Sequence, residues 1–316
     1  YSIDGLLLTS LDINQLDRQM AYPSYAILRS ELIKILEHRA RALAINIHYQ
    51  HQVSDIADST DNHQQARVQF TNNHAIEADV IIGADGRMNS IARKYVTGNN
   101  SPIYHGFINW IGVYEGDTEM FSEPVIADYW GAGERFGIVP VSATCAYWAG
   151  ALMSKTISEN HPARYKQELK QAFKNWPKPI AKIINDTPPE KINKIYIHDH
   201  NPINNWHKNN VLMIGDAAHA PLPTSGQGAC QALEDAWHLA NYLSDHSSNI
   251  TQAFESFTAA RVEKTSAVTM SGRHLASSIF NRDKEFCRQR NLASRQSNPK
   301  LLAQGMANTW SAGLPL

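Results

Sequence analysis

Cysteine is scarce, with three in 316 residues, and Cys145, Cys230 and Cys287 stand far apart with no C-x-x-C pair. That spacing excludes a disulfide framework and a thiolate zinc site, and it makes a reducing cytoplasm the expected compartment. Long apolar runs are missing as well. None approaches the roughly 20 residues that cross a bilayer as a helix, and the opening residues do not read as a charged region followed by an apolar one. Charge of one sign is missing too: 29 Lys and Arg face 30 Asp and Glu, a net charge of −1. No field therefore draws the chain onto nucleic acid or anionic lipid. What is there is 43% hydrophobic and 19% charged, enough to bury one large core or two smaller ones.

Residues 1 to 20 read as a strand or hairpin punctuated by Asp4-Gly5. Leu28, Leu32, Ile35, Leu36 and Leu43 then fall near helical spacing against Glu31, Lys34, Glu37 and Arg41, which predicts a helix with Arg29 in its first turn. Strands are expected at 45 to 49, 66 to 70 and 79 to 82, with a hairpin loop over 58 to 65. Val80-Ile81-Ile82 is unbroken by polar residues, as a strand buried on both faces is. Residues 101 to 150 hold most of the aromatics and repeated glycines, and predict an antiparallel sheet. Helices are expected at 162 to 175, 228 to 243 and 251 to 290, a second buried strand at 211 to 214, and an irregular end from 291 to 316.

Two segments carry chemistry. In the first, the strand through Ile82 ends in Gly83-Ala84-Asp85-Gly86-Arg87, and Asn89 or Ser90 caps a short helix containing Arg93. In an α/β sheet ligands bind outside the carboxyl ends of strands, where Asp85 would stand to accept from a ribose or hold an arginine beside a phosphate. The tetrapeptide alone is equally a tight turn with a solvated aspartate. In the second, Val211-Leu212-Met213-Ile214 leads into Gly215-Asp216-Ala217-Ala218-His219, then Pro223-Thr224-Ser225-Gly226-Gln227-Gly228 and a helix carrying Glu234-Asp235-Ala236. Gly226 and Gly228 remove side chains at a helix entrance, so free N–H groups and the positive helix end can face an electron-rich ligand atom.

Together these segments resemble the two signatures of the class A flavoprotein hydroxylases, the family with the para-hydroxybenzoate hydroxylase fold. Arg29, followed by Leu32 and Leu36, resembles that family's arginine near the FAD pyrophosphate. The tract from Trp130 through Arg135 to Pro140 resembles its strand pair crossing the substrate domain. The resemblance covers roughly residues 1 to 260 and implies a mixed α/β fold: a Rossmann-like FAD-binding domain, an inserted antiparallel-sheet substrate domain and C-terminal helices. The implied division is 1–22 substrate-domain strands, 23–98 FAD-binding, 99–205 substrate domain, 206–248 FAD-binding, and 249–316 C-terminal helices.

The implied activity is that of an FAD-dependent monooxygenase: NADH or NADPH reduces the flavin, O2 adds at flavin C4a, and one oxygen passes to an aromatic or other electron-rich small molecule. The resemblance assigns Asp216, after Gly215, to the ribitol chain and Arg29 to the pyrophosphate. It gives Asp85 and Arg93 to the region shared with the nicotinamide donor, Gly226, Gln227 and Gly228 to the pyrimidine edge, and Pro223 to the carbonyl beside the ring. A monomer or homodimer is expected, with no metal. One departure stands out. The family's opening strand and Gly-x-Gly-x-x-Gly turn for the ADP half of FAD do not occur here, so roughly 70 to 80 residues are expected to be absent from the sequence as given. A chain without them is expected to hold FAD weakly or not at all.

Several residues stay open. His105, Tyr114, Tyr129 and His219 are chemically able to act as a base, yet a lone His or Tyr among apolar neighbours is usually a satisfied core residue. His198-Asp199-His200 could offer two imidazoles to a metal, or form an exposed strand. Trp110, Trp130, Trp148 and Phe136 could wall an aromatic pocket or simply fill a sheet. Flavin-dependent halogenases and geranylgeranyl reductases share the implied fold, but the halogenase Trp-x-Trp-x-Ile-Pro is absent and 130 to 140 departs from the reductase pattern. A non-catalytic remnant that binds a small ligand or partner without FAD is the alternative from another class.

Overall fold

A computed structural model describes residues 1–58, 65–116 and 119–314. They divide into two compact units, one of residues 1–45, 106–197 and 277–316, the other of residues 46–105 and 198–276. The expected mixed α/β class, with antiparallel sheets and C-terminal helices, is what the chain adopts.

The first unit is built on a five-stranded sheet in the order Ala127–Trp130, Glu134–Pro140, Cys145–Met153, Ile103–Glu115, Asn193–Asp199. Side chains alternate across such a sheet. One face buries Trp110, Tyr129, Phe136, Ile138 and Trp148 against Leu169, Ile180 and Ile183 of helices Tyr165–Ala172 and Lys178–Asp186. The other face presents Asp128, Arg135, Gly137, Tyr147 and Ala149, all half-buried. This settles the aromatic question: Trp110, Trp148 and Phe136 fill the core behind the sheet, and only Trp130 of the four lies on the second face.

Three expectations are corrected. Residues 1 to 20 do not form a strand or hairpin: beyond a single bridge from Ser2 to Trp130 they lead into helix Ile13–Met20. Asp12 caps that helix by accepting the Asn14 N–H at 3.0 Å, and Leu16 and Met20, one turn apart, bury against Ala307. Residues 45 to 49 are not a strand either. Ala44 and Gln50 take positive φ (54° and 59°), which interrupts extended backbone at both ends, and the strand is Val53–Asp58. The end from 291 is not irregular: helices Lys284–Gln296 and Pro299–Ser311 occupy it, the latter capped by Asn298 with Pro299 in its first turn. Of the hairpin loop expected over 58 to 65, residues 59–64 lie outside the described residues.

The second unit holds both strands expected from the sequence, but only Val211–Met213 is fully buried; Val80, Ile81 and Ile82, expected to be buried on both faces, are half-buried. Val211–Met213 runs parallel to Ile81–Gly83 with Met213 opposite Gly83, and His207–Lys208 completes the sheet on the other side of Val211–Met213. The pairing continues past the strand end, where the Ile214 N–H donates to the Gly83 carbonyl at 3.0 Å. Both strands therefore deliver their next residues, 84–87 and 215–216, to one edge. Helix Ile91–Thr97 crosses behind so closely that a Cβ on Gly83 would come 2.1 Å from the Ala92 Cβ. A meander of Val53–Asp58, Ala66–Phe70 and Ala75–Ala78 adjoins, and Ala92, Leu212, Met213, Ala217, Phe254 and Phe257 share one core.

Candidate functional site

At the carboxyl end of Ile81–Gly83, Asp85 turns its carboxylate back on its own chain. Oδ1 accepts the Ser90 hydroxyl at 2.5 Å, and Oδ2 accepts the N–H groups of Ile91 (2.7 Å) and Ala92 (3.1 Å). Ser90 Oγ in turn accepts the Arg93 N–H at 2.8 Å. Asp85 and Ser90 together satisfy three of the four orphan donors at the start of helix Ile91–Thr97. Arg93 is buried, and its Nη1 donates to the carbonyls of Ala217 (2.9 Å) and Ala218 (3.0 Å). Burial pushes its guanidinium below the ordinary arginine value. Asp85 and Arg93 thus form one brace that runs from the first strand end to the second.

At the end of Val211–Met213 the backbone turns at Gly215, where φ is +57° and ψ −140°, a combination that glycine alone adopts readily. Asp216 opens the short helical turn Asp216–His219, and its Oδ2 accepts from Arg87 Nη1 at 2.9 Å. Both side chains are about a third exposed (37% and 30%), so the pair is screened by water and contributes little to stability. Arg87 Nε is buried with no partner among the described residues. The Pro223–Ser225 turn leads through Gly226 (φ +66°) to helix Gly228–Asp245, whose first turn no side chain caps. The Gly226 N–H donates to the Pro223 carbonyl and the Gln227 N–H to Ser225 Oγ, so free donors at this edge begin at Gly228. A Cβ on Gly226 would meet nothing within 4 Å, and one on Gly228 would lie 4.0 Å from Asp216 Oδ1. The two halves of the second motif therefore meet: a half-exposed carboxylate beside an uncapped helix start, with open space in front.

Behind this edge lies a set of buried polar residues, of which the sequence had singled out His219, Glu234 and Asp235 but not their pairing with Arg261. Asp235 Oδ2 accepts the Gly215 N–H at 2.8 Å and lies 2.6 Å from His219 Nε2, and Oδ1 accepts Arg261 Nε at 2.8 Å. Burial pushes the Asp235 carboxyl up, but the partners His219 and Arg261 outweigh it and hold the group below the usual carboxylate range. Arg87, the residue after the Gly-Ala-Asp-Gly turn, was legible as a neighbour of the site. Arg261 was legible only as a cation on the buried stripe of Phe254, Phe257 and Val268.

Of the four candidate bases, Tyr114 and Tyr129 lie in the core of the first unit, His105 Nε2 lies 2.7 Å from the buried Asp199, and His219 is bound to Asp235. Asp199 also accepts from Arg273 Nε (2.7 Å) and Nη2 (2.9 Å), while His200 Nε2 lies 2.8 Å from the Arg87 carbonyl. Among the described residues no group of three His, Cys, Asp or Glu could hold a metal ion. Arg29 is exposed at the start of helix Arg29–Ala42 in the first unit. On the second face of that unit's sheet, Asp128 Oδ1 accepts from Arg135 Nε and Oδ2 from Trp130 Nε1, both at 2.8 Å. The Tyr147 hydroxyl is pushed up by burial, with Arg135 acting in the opposite direction.

The family described as FAD binding domain matches residues 9–269. The aurachin C monooxygenase/isomerase of Stigmatella aurantiaca is 36% identical over 201 residues, 62% of this chain and 50% of that protein. An FAD-dependent urate hydroxylase of Mycolicibacterium vanbaalenii is 30% identical over 271 residues, 85% of this chain and 67% of that protein. The chain thus spans half to two thirds of the length of these relatives. The crystal structure of Klebsiella pneumoniae HpxO with FAD and uric acid shares the fold, with a TM-score of 0.89 at 24% identity, over 99% of this chain and 79% of that one. No helix among the described residues is long and apolar enough to cross a membrane.

Proposed function

Because this chain belongs to the FAD binding domain family, the class A flavin monooxygenases, we propose that the strand-end edge of its second unit holds the flavin half of FAD in a monooxygenase. The enzyme takes electrons from NADH or NADPH and places one atom of O2 in an aromatic or other electron-rich small molecule, in the cytoplasm. The observation that carries this reading is the meeting of Asp216 with Gly228, where a carboxylate, free helix-start donors and Cβ-free space converge.

The donor set fits the group. Asp216 accepts from a ribitol hydroxyl, releasing Arg87 as it does so. The helix start at Gly228, positive and uncapped, faces the pyrimidine edge, where negative charge accumulates on reduction. Gly226 and Gln227 would shape that edge, and the exposed Pro223 would stand beside the ring, its carbonyl accepting the Gly226 N–H. Asp85 and Arg93 hold the two strand ends in register, and the family resemblance gives the pyrophosphate to Arg29. When bound, FAD supplies the hydride acceptance and oxygen activation that no side chain here provides. On the first unit's sheet, the floor of Gly137 and Ala149 beside Asp128, Arg135 and Tyr147 suits a flat, polar substrate. Relatives that hydroxylate urate favour a planar heterocycle.

The test is FAD titration followed by flavin fluorescence in the chain extended upstream by the family's Gly-x-Gly-x-x-Gly segment and in Asp216→Ala of that form, with NAD(P)H-dependent oxygen uptake beside it. Saturable binding that the substitution weakens supports the reading, and equal behaviour of the two proteins removes it.

A further inference from the structure

The residues behind Gly215 form a charge set that stability does not explain. Asp235 is fully buried, and its two oxygens are committed in different directions: Oδ2 to the Gly215 N–H and His219, Oδ1 to Arg261. Arg261, 1% exposed, spreads its remaining donors to Glu234 Oε2 (2.8 Å) and to the Gln231 side-chain oxygen (2.7 Å) and carbonyl (3.2 Å). Lys264 Nζ completes the set on Glu234 Oε2 at 2.7 Å. The carboxylates of Asp235 and Glu234 are matched by the cations of Arg261 and Lys264.

Burying such a set rarely stabilises a fold more than apolar residues of the same volume would, whereas it does fix one geometry. The geometry fixed here is specific. The Gly215 N–H points into the protein at the end of a strand, in a backbone conformation that needs an anchor, and the next residue is Asp216. The same set reaches the helix start, since Gln231 Nε2 lies 3.4 Å from Gln227 Oε1. His219 follows the turn, and its carbonyl accepts from Thr269 on the long helix Ile250–Ile279 that also carries Arg261.

We infer that Asp235, held by Arg261, is a positioning residue for the cofactor: it anchors the Gly215 peptide and thereby aims the Asp216 carboxylate beside Gly228, setting flavin affinity from behind the site. This rests on the flavin reading of Asp216.

The experiment compares Asp235→Asn with Phe254→Leu, a stability control that shortens a buried ring in the same core and bonds to none of the charged set. Three quantities are read: hydrogen exchange at the Gly215 amide in the flavin-free chain, the dissociation constant of the extended form for FAD, and the thermal midpoint. Weakening one charge-assisted hydrogen bond predicts about tenfold faster exchange at Gly215 and about tenfold weaker FAD binding in Asp235→Asn. Phe254→Leu is expected to lower the midpoint and leave both other quantities where they were. Should Asp235→Asn fail to fold, Arg261→Lys, which keeps the charge but loses the fork to Gln231, is read the same way with smaller changes. Equal loss of FAD affinity in the variant and the control, or unchanged Gly215 exchange, overturns the inference. If the unsubstituted chain in its extended form binds no FAD, the flavin reading falls, while the exchange data still decide whether Asp235 anchors the turn.

Discussion

Helix Arg29–Ala42 and helix Gly228–Asp245 invert the usual relation between residue type and surroundings, in opposite senses. The first has the apolar spacing of a buried helix and buries no residue: Ile33, Ile35 and Leu36 are each about half exposed (50%, 58% and 49%). The second keeps Gln231 and Asp235 completely inside while Leu233 and Trp237 face outward. Periodicity thus announces helicity in both, but burial follows from what each helix meets. The second meets the strand-end turn and Arg261, and gives its interior to polar groups that hold that turn.

The sharpest way to break this contrast is Arg261→Met. Removing the cation leaves Asp235 with only His219 and the Gly215 N–H and Glu234 with only Lys264 among their charged and backbone partners, which is expected to cost about 3–5 kcal/mol in a denaturant melt. A loss under about 1 kcal/mol, within the range of an exposed pair, would mean that the charges are not truly interior. Gly83→Ala comes next. Its methyl would overlap Ala92 and push the helix away from the strand end, at about 1–3 kcal/mol, and the same melt reads it. Acid acts on the same unit. Asp235 and Asp199 both titrate below the usual carboxylate value, the first through His219 and Arg261, the second through His105 and Arg273, each against burial that acts the other way. Their folded values lie below the unfolded ones, so their contribution is complete above about pH 4 and is lost as pH falls through the folded values. Urea midpoints taken downward from about pH 5 are expected to fall, and a flat profile would contradict the pairing. The smallest effect belongs to the other helix: Leu36→Asp is expected to change the stability of this chain by less than about 0.5 kcal/mol while reducing binding of an apolar dye.

The same contrast shows what was legible beforehand. The two parallel strands and their glycine ends were readable because an unbroken β-branched run ending in glycine has few other structures available, although only Val211–Met213 is fully buried. Gly226 to Gly228 was readable in part: glycine at a helix start leaves donors bare at Gly228, whereas the Gly226 and Gln227 N–H groups are taken up by Pro223 and Ser225. The buried charge set was not, because Asp235 and Arg261 meet across 26 residues and no local pattern links them. Helix Ile13–Met20 was hidden because the stripe of Ile13, Leu16 and Met20 is too short to outweigh Asp4-Gly5. Arg87 stood in plain view after Gly86, but nothing in the sequence paired it with Asp216, 129 positions away.

The central claim is that Asp216 and the helix start at Gly228 form a flavin site, and the most direct measurement is the dissociation constant for FAD of the chain, carried in a form extended upstream by the family's Gly-x-Gly-x-x-Gly segment, beside that of Asp216→Ala in the same form. The account predicts saturable quenching of flavin fluorescence in the chain and binding weaker by about tenfold or more in the variant, the effect of losing one charge-assisted hydrogen bond. Identical titrations, or no quenching by the unsubstituted chain, would contradict it.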